Sequence, residues 1–303
     1  MKYFFILILL LILSVAFIAL RESALKEYTP PKLEFIDVES VNKVNISVAD
    51  NKRSGIIIFD IANLAGNSIS DSLFTPALYK ISKKSKIFYS TINLSPDRFT
   101  SLKSFIECIP PYKFNDNKEP YKNYKMIISD ELRNSSVFNE YAKSGYLTKS
   151  YTSDSCLFFN TEKYFLKSNQ FKSKERVLEA VYKDLCENIN SDFIFYADIS
   201  DGFKESGNYM KDIDHLIRQF TDRIEEKFKA EPLYLFISTE RENKYAKTLS
   251  FFYQTGCILS EDSINASITD IAKTLLNYSK IKYPNYFGGY DLENDDESLS
   301  RDY

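Results

Sequence analysis

Acidic side chains that follow buried strands are the first candidates for chemistry in this chain. Asp60 closes the apolar run Ile56–Phe59, and the carboxyl end of a buried strand is where ligands bind in open α/β sheets. Asp198 or Asp201, and Glu240, follow two later runs of the same kind. Together these carboxylates offer oxygen ligands that suit Mg²⁺ or Ca²⁺. The alternative is that Asp60 caps the loop after its strand.

Other ligands of catalytic metals are scarce. The chain has one histidine, His215, which lies off the apolar stripe of a helix predicted over Tyr209–Phe228, near Lys211 and Arg218. This position predicts a solvated surface histidine rather than a ligand. The four cysteines have no metal-knuckle spacing, and P-loop, nucleophile-elbow and HExxH motifs are absent from the sequence. We therefore expect no site built on imidazole or thiolate.

Alternating strands and helices must position these residues. Apolar runs predict buried strands at Ile56–Phe59, Lys86–Tyr89, Tyr146–Tyr151, Phe193–Ala197 and Leu233–Ile237. Amphipathic stretches with capping residues predict helices over Thr75–Ser85, Ser101–Ile109, Ser136–Lys143, Ser173–Asn190 and Tyr209–Phe228. The alternation predicts a three-layer α/β domain with a mostly parallel central sheet and helices on both faces.

The start of the chain predicts a membrane segment. Residues 3–20 carry no charge and would span roughly 27 Å as a helix, close to the thickness of a bilayer core. We expect a signal-anchor over residues 1–20, a stalk over 21–53, the α/β domain over 54–292 and a disordered acidic tail over 293–303. The alternative is a signal peptide cut after Ala16. Both alternatives predict export to a lumen or the extracellular space. The signal-anchor leaves the domain attached to the membrane by one span, and the cleaved signal peptide gives a secreted domain.

Two further patterns agree with export. Asn-x-Ser glycosylation sequons occur at Asn45, Asn93, Asn134, Asn265 and Asn277. In an oxidising compartment, the four cysteines could form two disulfides in any of three pairings. They are Cys108, Cys156, Cys186 and Cys257.

Several segments match one known pattern in chain order. They include IIIFD, Ile56–Asp60; TPALYKISKKSKIF, Thr75–Phe88; DFIFYADISDGF, Asp192–Phe203; and SITDIAKTLLNYSKIKYPNYFGGYDL, Ser267–Leu292. These segments resemble the alkaline phosphatase superfamily, which includes sulfatases, nucleotide pyrophosphatases and phosphoethanolamine transferases. In that family the first strand ends on a metal-binding aspartate, and the last segment is the closing helix. The resemblance covers nearly the whole domain and implies the family's layered fold.

The resemblance also implies where a nucleophile would lie. The segment SPDRFTSLKSFIECIPP, Ser95–Pro111, is similar to the nucleophile helix, and the best register puts Arg98 at or beside the nucleophile position. Thr100 or Ser101 would serve only with a local shift; otherwise Ser101 is the N-cap of the helix. The family's two-metal sites need three aspartates and three histidines. With one histidine and Glu240 at a family histidine position, such a site looks lost.

These observations predict a membrane-anchored, extracytoplasmic alkaline phosphatase- or sulfatase-like domain that is catalytically degenerate, needs no cofactor and acts by binding an anionic or phosphorylated ligand. The first alternative is an active phosphodiesterase or phosphoethanolamine-type transferase with a carboxylate-only site for Mg²⁺, Ca²⁺ or Zn²⁺. The second is an exported glycoprotein unrelated to the superfamily. The net charge of −3, with mixed signs, predicts no nucleic-acid partner; the membrane, through the N-terminal helix, is the predicted one.

Overall fold

A computed structural model describes the chain over residues 29–35, 55–65, 69, 72–90, 98–108, 136–188, 191–201, 208–228, 232–239, 248–253, 264–284 and 287. The chain divides into two compact units, Met1–Pro31 and Lys32–Tyr303. The predicted membrane segment, residues 1–20, and the predicted tail, residues 293–303, lie outside the described residues. Among the residues that are described, no helix is long and apolar enough to cross a bilayer.

Strands and helices alternate along the second unit. The strands are β1 (Gly55–Asp60), β2 (Lys86–Ser90), β3 (Leu147–Thr152), β4 (Lys167–Gln170), β5 (Phe193–Asp198), β6 (Leu233–Ile237), β7 (Thr248–Tyr253) and β8 (Ile264–Ala266). The helices are α1 (Pro76–Ser82), α2 (Arg98–Glu107), α3 (Val137–Lys143), α4 (Ser155–Thr161), α5 (Lys174–Glu187), α6 (Tyr209–Lys227) and α7 (Ile268–Tyr278), with a 3₁₀ turn over Glu162–Tyr164.

The described strands form one sheet in the order β4-β3-β5-β1-β6-β7-β2-β8. Strands β5, β1 and β6 are parallel neighbours, with Ile56 opposite Ile194 on one side and Leu233 on the other. Strand β7 has the opposite direction and runs antiparallel to both of its neighbours, β6 and β2. The prediction of a mostly parallel sheet is confirmed, and the carboxyl ends of β3, β5, β1 and β6 share one edge.

Helices cover both faces of the sheet, as predicted. One core, which contains Phe59 and Phe236, packs the sheet against α1, α5 and α6. The other, which contains Ile58 and Tyr196, packs it against α2, α3 and α7. Consecutive strand residues contribute to opposite cores because side chains alternate across a strand. This is why the central strands are apolar along their whole length rather than at every second residue.

One predicted helix start and one predicted helix cap differ from the structure. Helix α2 begins at Arg98, three residues before the predicted Ser101, because Ser95, Pro96 and Asp97 are residue types that favour the start of a helix. Helix α1 begins after Thr75 as predicted, but the Thr75 side chain makes no capping hydrogen bond. Asp214 of α6 takes this role, since its Oδ1 accepts the N–H of Leu78 at 2.7 Å.

Part of the predicted stalk packs against the domain instead. Leu33 is 4% exposed and belongs to the core under α5 and α6. Its N–H donates to Gln219 Oε1 at 3.1 Å, and the Phe35 ring lies 4.6 Å from that of Tyr182. The segment contains apolar Leu33 and Phe35 among polar neighbours, a pattern too short to distinguish from a linker by sequence.

Candidate functional site

The shared edge of β3, β5, β1 and β6 forms the candidate site. Asp60 ends β1 and Asp198 ends β5, and the two residues are partners in the register of these parallel strands. Ile58 and Tyr196, two residues before the aspartates, lie in the same core, so both carboxylates point to that face of the sheet. Both aspartates are fully buried. Carboxylates this close repel each other unless a proton or a cation lies between them.

The cation between them is the guanidinium of Arg98, the first residue of α2. Its Nη2 forms an ion pair with Asp198 Oδ1 and lies 3.5 Å from Asp60 Oδ2. Its Nη1 lies 3.4 Å from Asp154 Oδ2. The Arg98 side chain is 13% exposed and that of Asp154 is 38% exposed. One guanidinium therefore faces two buried carboxylates on its inner side and a half-exposed carboxylate on its outer side.

Asp60 accepts three hydrogen bonds besides its contact with Arg98. The hydroxyls of Tyr196 and Thr239 donate to Oδ2 at 2.7 and 2.5 Å, and the N–H of Thr239 donates to Oδ1 at 3.0 Å. Burial, together with Asp60 and Asp198, raises the pKa of Tyr196 well above its ordinary value, so the phenol keeps the proton that it donates. Because Tyr196 lies on β5 and Thr239 follows β6, Asp60 joins three strand ends.

Asp198 extends the same network to β3. The hydroxyl of Thr152 donates to Asp198 Oδ2 at 2.6 Å, and Ser200 donates to Oδ1 through its N–H at 3.1 Å and through its hydroxyl. Thr152 Oγ1 accepts the N–H of Asp154 at 2.9 Å. Asp154 Oδ1 then accepts the N–H of Leu157 at 3.2 Å, which caps α4. The outer carboxylate is thus held by the helix start as well as by Arg98.

Burial and ion pairing compete in setting the charges. Burial raises the pKa of Asp60 in spite of the Arg98 guanidinium, and the charge of Asp198 adds to the rise. Burial acts the same way on Asp198, but Arg98 and the donors Ser200 and Thr152 hold its pKa below the ordinary value. Burial disfavours the charged guanidinium, yet Asp198 and Asp60 raise the pKa of Arg98 well above its ordinary value. Arg98 and Asp198 are therefore the charged pair, and Asp60 is the carboxyl that protonates first.

Two of the four predicted metal-binding carboxylates meet in this site. Between the alternatives Asp198 and Asp201, the structure places Asp198 beside Asp60; Asp201 is exposed, and its carbonyl accepts from Lys174 Nζ at 3.3 Å. Glu240 lies outside the described residues. In the described part of the chain, no group of three or more histidine, cysteine, aspartate or glutamate side chains is arranged to hold a metal ion.

The predicted nucleophile candidates lie further along α2. Ser101 is 5% exposed and sits inside the helix, so its prediction as an N-cap is wrong. The side chain of Thr100 lies outside the described ones. Because a helix rises about 1.5 Å per residue, Ser101 is about one turn beyond Arg98. At the helix start it is Arg98 that contacts the carboxylates.

Two of the four predicted cysteines, Cys108 and Cys186, lie in the apolar cores. Cys108 and Cys186 are buried in the cores on opposite faces of the sheet, which excludes a disulfide between these two. Burial raises the pKa of Cys108 to about 12, so it is a protonated thiol, and it donates to the Thr269 carbonyl at 3.7 Å. The side chains of Cys156 and Cys257 lie outside the described ones.

His215 and one sequon are also described. His215 is partly exposed on α6, and its Nδ1 lies 3.0 Å from Arg218 Nη2, so the predicted surface position is observed. Asn277 lies half-buried in the last turn of α7, and its sequon serine, Ser279, is buried. The side chains of the other sequon asparagines lie outside the described ones: Asn45, Asn93, Asn134 and Asn265.

Several residues of the network were not predicted. Thr152, Ser200 and Thr239 all lie at or within two residues of a strand's carboxyl end, and Asp154 begins the next helix. A search for hydroxyl and carboxyl groups at strand ends would have found them, since parallel strands bring these ends together. Their partner, Arg98, lies 100 residues from Asp198 in sequence, and the register of the resemblance had placed it at or beside the nucleophile position.

No family model and no curated protein matches the sequence, but solved structures match the fold. A protein of the alkaline phosphatase superfamily from Vibrio parahaemolyticus matches with a TM-score of 0.63 and 13% identity over 80% of this chain and 70% of its own. A lipoteichoic acid synthase from Listeria monocytogenes matches with a TM-score of 0.56 and 15% identity, over 84% of this chain and 79% of its own.

The C-terminal periplasmic domain of a phosphoethanolamine transferase from Campylobacter jejuni gives a TM-score of 0.54 and 12% identity over 79% of this chain and 94% of its own. Identities this low carry information on the fold alone. The matches agree with the α/β sheet and helices described above. This chain has the fold of the alkaline phosphatase superfamily.

Proposed function

We propose that this chain is a membrane-anchored, extracytoplasmic domain that acts by binding and does not catalyse two-metal phosphoryl transfer. The observation that carries the proposal is the ion pairing of Arg98 with the buried carboxylates of Asp198 and Asp60. A two-metal mechanism needs these oxygens as ligands and an open position for the transferred group. In this chain a side-chain cation takes up that region.

The donor set around the two aspartates does not fit a divalent cation. Asp60 Oδ2 accepts from Tyr196 and Thr239 and faces Arg98. Asp198 Oδ1 accepts from Ser200 and is ion-paired with Arg98. A metal binds carboxylate lone pairs that are directed at it, whereas here O–H and N–H donors are directed at those lone pairs. We derive no catalytic step through a metal.

Arg98 also takes the position at which a nucleophile would act. The start of α2 contacts the carboxylates through its guanidinium, while Ser101 is buried one turn further along. A guanidinium is protonated at any physiological pH and is not a nucleophile. Of the described hydroxyls in the site, those of Thr152, Ser200 and Thr239 each donate to a carboxylate.

The proposed ligand is an anionic or phosphorylated group, and it must compete with Asp154. The inner side of Arg98 is matched by Asp60 and Asp198, but the outer Nη1 faces Asp154 at 3.4 Å, and that carboxylate is 38% exposed. An anion that binds here exchanges with Asp154. The variant Asp154→Asn keeps the oxygen that caps α4 and removes the charge, so we expect it to bind inorganic phosphate more tightly than the wild type in calorimetry.

Membrane attachment and export are supported by the uncharged run over residues 3–20 and by five Asn-x-Ser sequons. The uncharged run lies outside the described residues, so membrane attachment and export are part of the proposal. A cleaved signal is the alternative, and it gives a secreted domain with the same site. Sequencing the N terminus of the protein from expressing cells distinguishes the two, since cleavage after Ala16 removes the anchor.

Metal analysis combined with a diesterase assay tests the central claim. The purified protein is expected to hold well under one zinc per chain and to leave bis(4-nitrophenyl) phosphate unhydrolysed with Zn²⁺, Mg²⁺ or Ca²⁺ added. Stoichiometric metal together with hydrolysis that Asp60→Ala abolishes would overturn it. That result would favour the alternative, a metal-dependent phosphodiesterase or phosphoethanolamine-type transferase that uses the carboxylates of Asp60 and Asp198.

A further inference from the structure

A short segment at the start of the second unit lies across two helices of the domain. In this segment, Lys32–Phe35, the first and third residues are exposed, Leu33 is buried and Phe35 is half-buried. A period of two is typical of an extended chain with one side on a surface. The segment, which we call the strap, therefore lies with its apolar side on the domain.

Side chains of both helices hold the backbone of the strap. The Leu33 N–H donates to Gln219 Oε1 of α6 at 3.1 Å, and the Glu34 N–H donates to Glu179 Oε1 of α5 at 2.8 Å. Glu179 is itself fixed, because its Oε2 accepts from Arg176 Nη1 at 2.7 Å. Both acceptors belong to helix side chains rather than to strand backbone, so the strap can leave the domain without opening the sheet.

The two apolar side chains of the strap add burial to these hydrogen bonds. Leu33 is 4% exposed and lies in the core under α5 and α6, against which Phe35 also packs. The Phe35 ring lies 4.6 Å from that of Tyr182 on α5. Removing such side chains from water is favourable, while the two N–H groups select one register. The α5–α6 surface thus fits a short extended peptide with apolar residues at alternate positions.

We propose that the α5–α6 surface is a docking site for the chain's own juxtamembrane segment, and that the docked strap shortens the tether between membrane and domain. The proposal rests on the membrane attachment in the proposed function. With the strap docked, the free tether is residues 21–31, which span at most about 40 Å. With the strap released, the tether is residues 21–54, up to the start of β1, and spans up to about 120 Å.

The shorter tether favours ligands close to the membrane surface. Once a tether can reach a ligand, the effective concentration falls roughly as the −3/2 power of tether length. The docked tether has 11 residues and the released one has 34, so docking raises the effective concentration about fivefold. The strap therefore directs the domain to an anionic group that is held on the same membrane, such as a phosphorylated headgroup.

Limited trypsin digestion of the full chain in nanodiscs tests the docking. Lys32 is exposed but the next residue is buried, so cleavage between them requires release of the strap. Leu33→Asp is expected to speed this cleavage at least about tenfold, and Phe35→Ala, which removes a half-buried ring, at least about threefold. Glu34→Gln is the matched control, because it changes an exposed side chain and keeps the N–H. It should be cleaved at the wild-type rate.

Cleavage inside the domain separates release of the strap from unfolding. Lys149 is 9% exposed on β3, so trypsin reaches it only when the domain unfolds, and Leu33→Asp should leave it uncut. If Leu33→Asp unfolds the domain, the milder Phe35→Ala decides the test. Cleavage after Lys32 at the wild-type rate in Phe35→Ala, and in Leu33→Asp where it folds, overturns the docked strap.

Energy transfer from the domain to acceptor lipids tests the shortened tether. The donor dye is carried by an unnatural amino acid in place of Lys143, which is 65% exposed. Transfer should fall by about half or more in Leu33→Asp, because the span of the tether rises roughly threefold, and should stay unchanged in Glu34→Gln. Equal transfer in Leu33→Asp and the wild type overturns the shortened tether. Absent transfer in the wild type would refute membrane attachment and the tether with it, whereas the digestion decides the docking independently.

Discussion

Replacing Arg98 by methionine separates the charge of this residue from its bulk. Methionine keeps an unbranched chain of similar reach that can pack at the start of α2, but it brings no cation to the strand edge. Asp60 and Asp198, both fully buried, then face each other without the ion pair. We expect a large loss of folding stability at neutral pH, and a smaller loss under mildly acidic conditions.

The size of the loss follows from two independent arguments. Removing one partner of a buried ion pair typically costs about 3–5 kcal/mol, because the other charge stays buried and uncompensated. The variant can limit this cost by protonating one carboxyl. For a group with an ordinary pKa of about 3.9, protonation at pH 7 costs about 4 kcal/mol, at about 1.36 kcal/mol per pH unit. The two figures agree, so a loss of about 4 kcal/mol is expected at pH 7.

The pH dependence is the sharper part of the prediction. In the variant, the carboxyl that lost its cation has a pKa raised above its unfolded value, so the stability of its protonated form is lost as the pH rises. At pH 5 the same protonation costs only about 1.5 kcal/mol by the same arithmetic. The loss caused by Arg98→Met should therefore shrink by about 2–3 kcal/mol between pH 7 and pH 5.

Urea unfolding followed by far-ultraviolet circular dichroism measures both numbers. The matched control is Lys103→Met in the same helix, where the ammonium lies 3.8 Å from Glu107 and is 33% exposed. A partly exposed pair of this kind contributes about 0–1 kcal/mol, so the loss caused by the control should be small at both pH values. A loss below about 1 kcal/mol for Arg98→Met at pH 7, or an equal loss at both pH values, would refute the reasoning. The second result would mean that the variant loses stability through imperfect packing of the methionine, rather than through the lost charge.

Three further predictions test other parts of the fold. Burial raises the pKa of Asp214, which accepts the Leu78 N–H, so the contribution of Asp214 to folding stability falls as the pH rises. In urea unfolding, the stability of Asp214→Asn relative to the wild type should therefore increase from pH 4 to pH 7. A relative stability that decreases over this range contradicts the prediction. Tyr141→Phe removes the hydroxyl that donates to the Leu275 carbonyl at 2.9 Å and contacts Ser279 Oγ at 2.7 Å; we expect about 1–3 kcal/mol lost in the same assay, and a neutral effect would show that water replaces it. Protease protection of intact membranes should place all five sequons on one side of the membrane: Asn45, Asn93, Asn134, Asn265 and Asn277. A domain split between the two sides would refute single-span topology.

The central fold was predictable because its signals are local. The apolar runs that became β1, β5 and β6 have no other reason to be apolar along their full length than burial on both faces. The closing segment was also informative, since Ser267 and Asp270 form a reciprocal capping box at the start of α7. By contrast, β4 has the sequence KSNQ, which carries no apolar residue, and its pairing with β3 comes entirely from tertiary context.

The candidate site was half predictable for the same reason. Asp60 and Asp198 follow strong strand signals, so their position at one edge follows from the topology. The role of Arg98 depends on where α2 begins, and helix starts are uncertain by a few residues in any sequence pattern. A shift of three residues exchanged Ser101 for Arg98 at the helix start. Contacts across 100 residues leave no periodic trace in the sequence, so only the register of the resemblance placed Arg98, rather than Ser101, at this position.

The two buried aspartates have a structural role that does not depend on a metal. Asp60 joins β1 to Tyr196 on β5 and to Thr239 after β6, while Asp198 joins β5 to Thr152 at the end of β3. Each carboxylate accepts several donors through its two oxygens, which an apolar side chain cannot do. Four strand ends are therefore fastened by two carboxylates, and Arg98 supplies the charge that lets both stay buried. Replacing either aspartate removes the acceptor of hydroxyl groups on neighbouring strands. We therefore expect such a replacement to weaken the packing of the sheet edge at the candidate site.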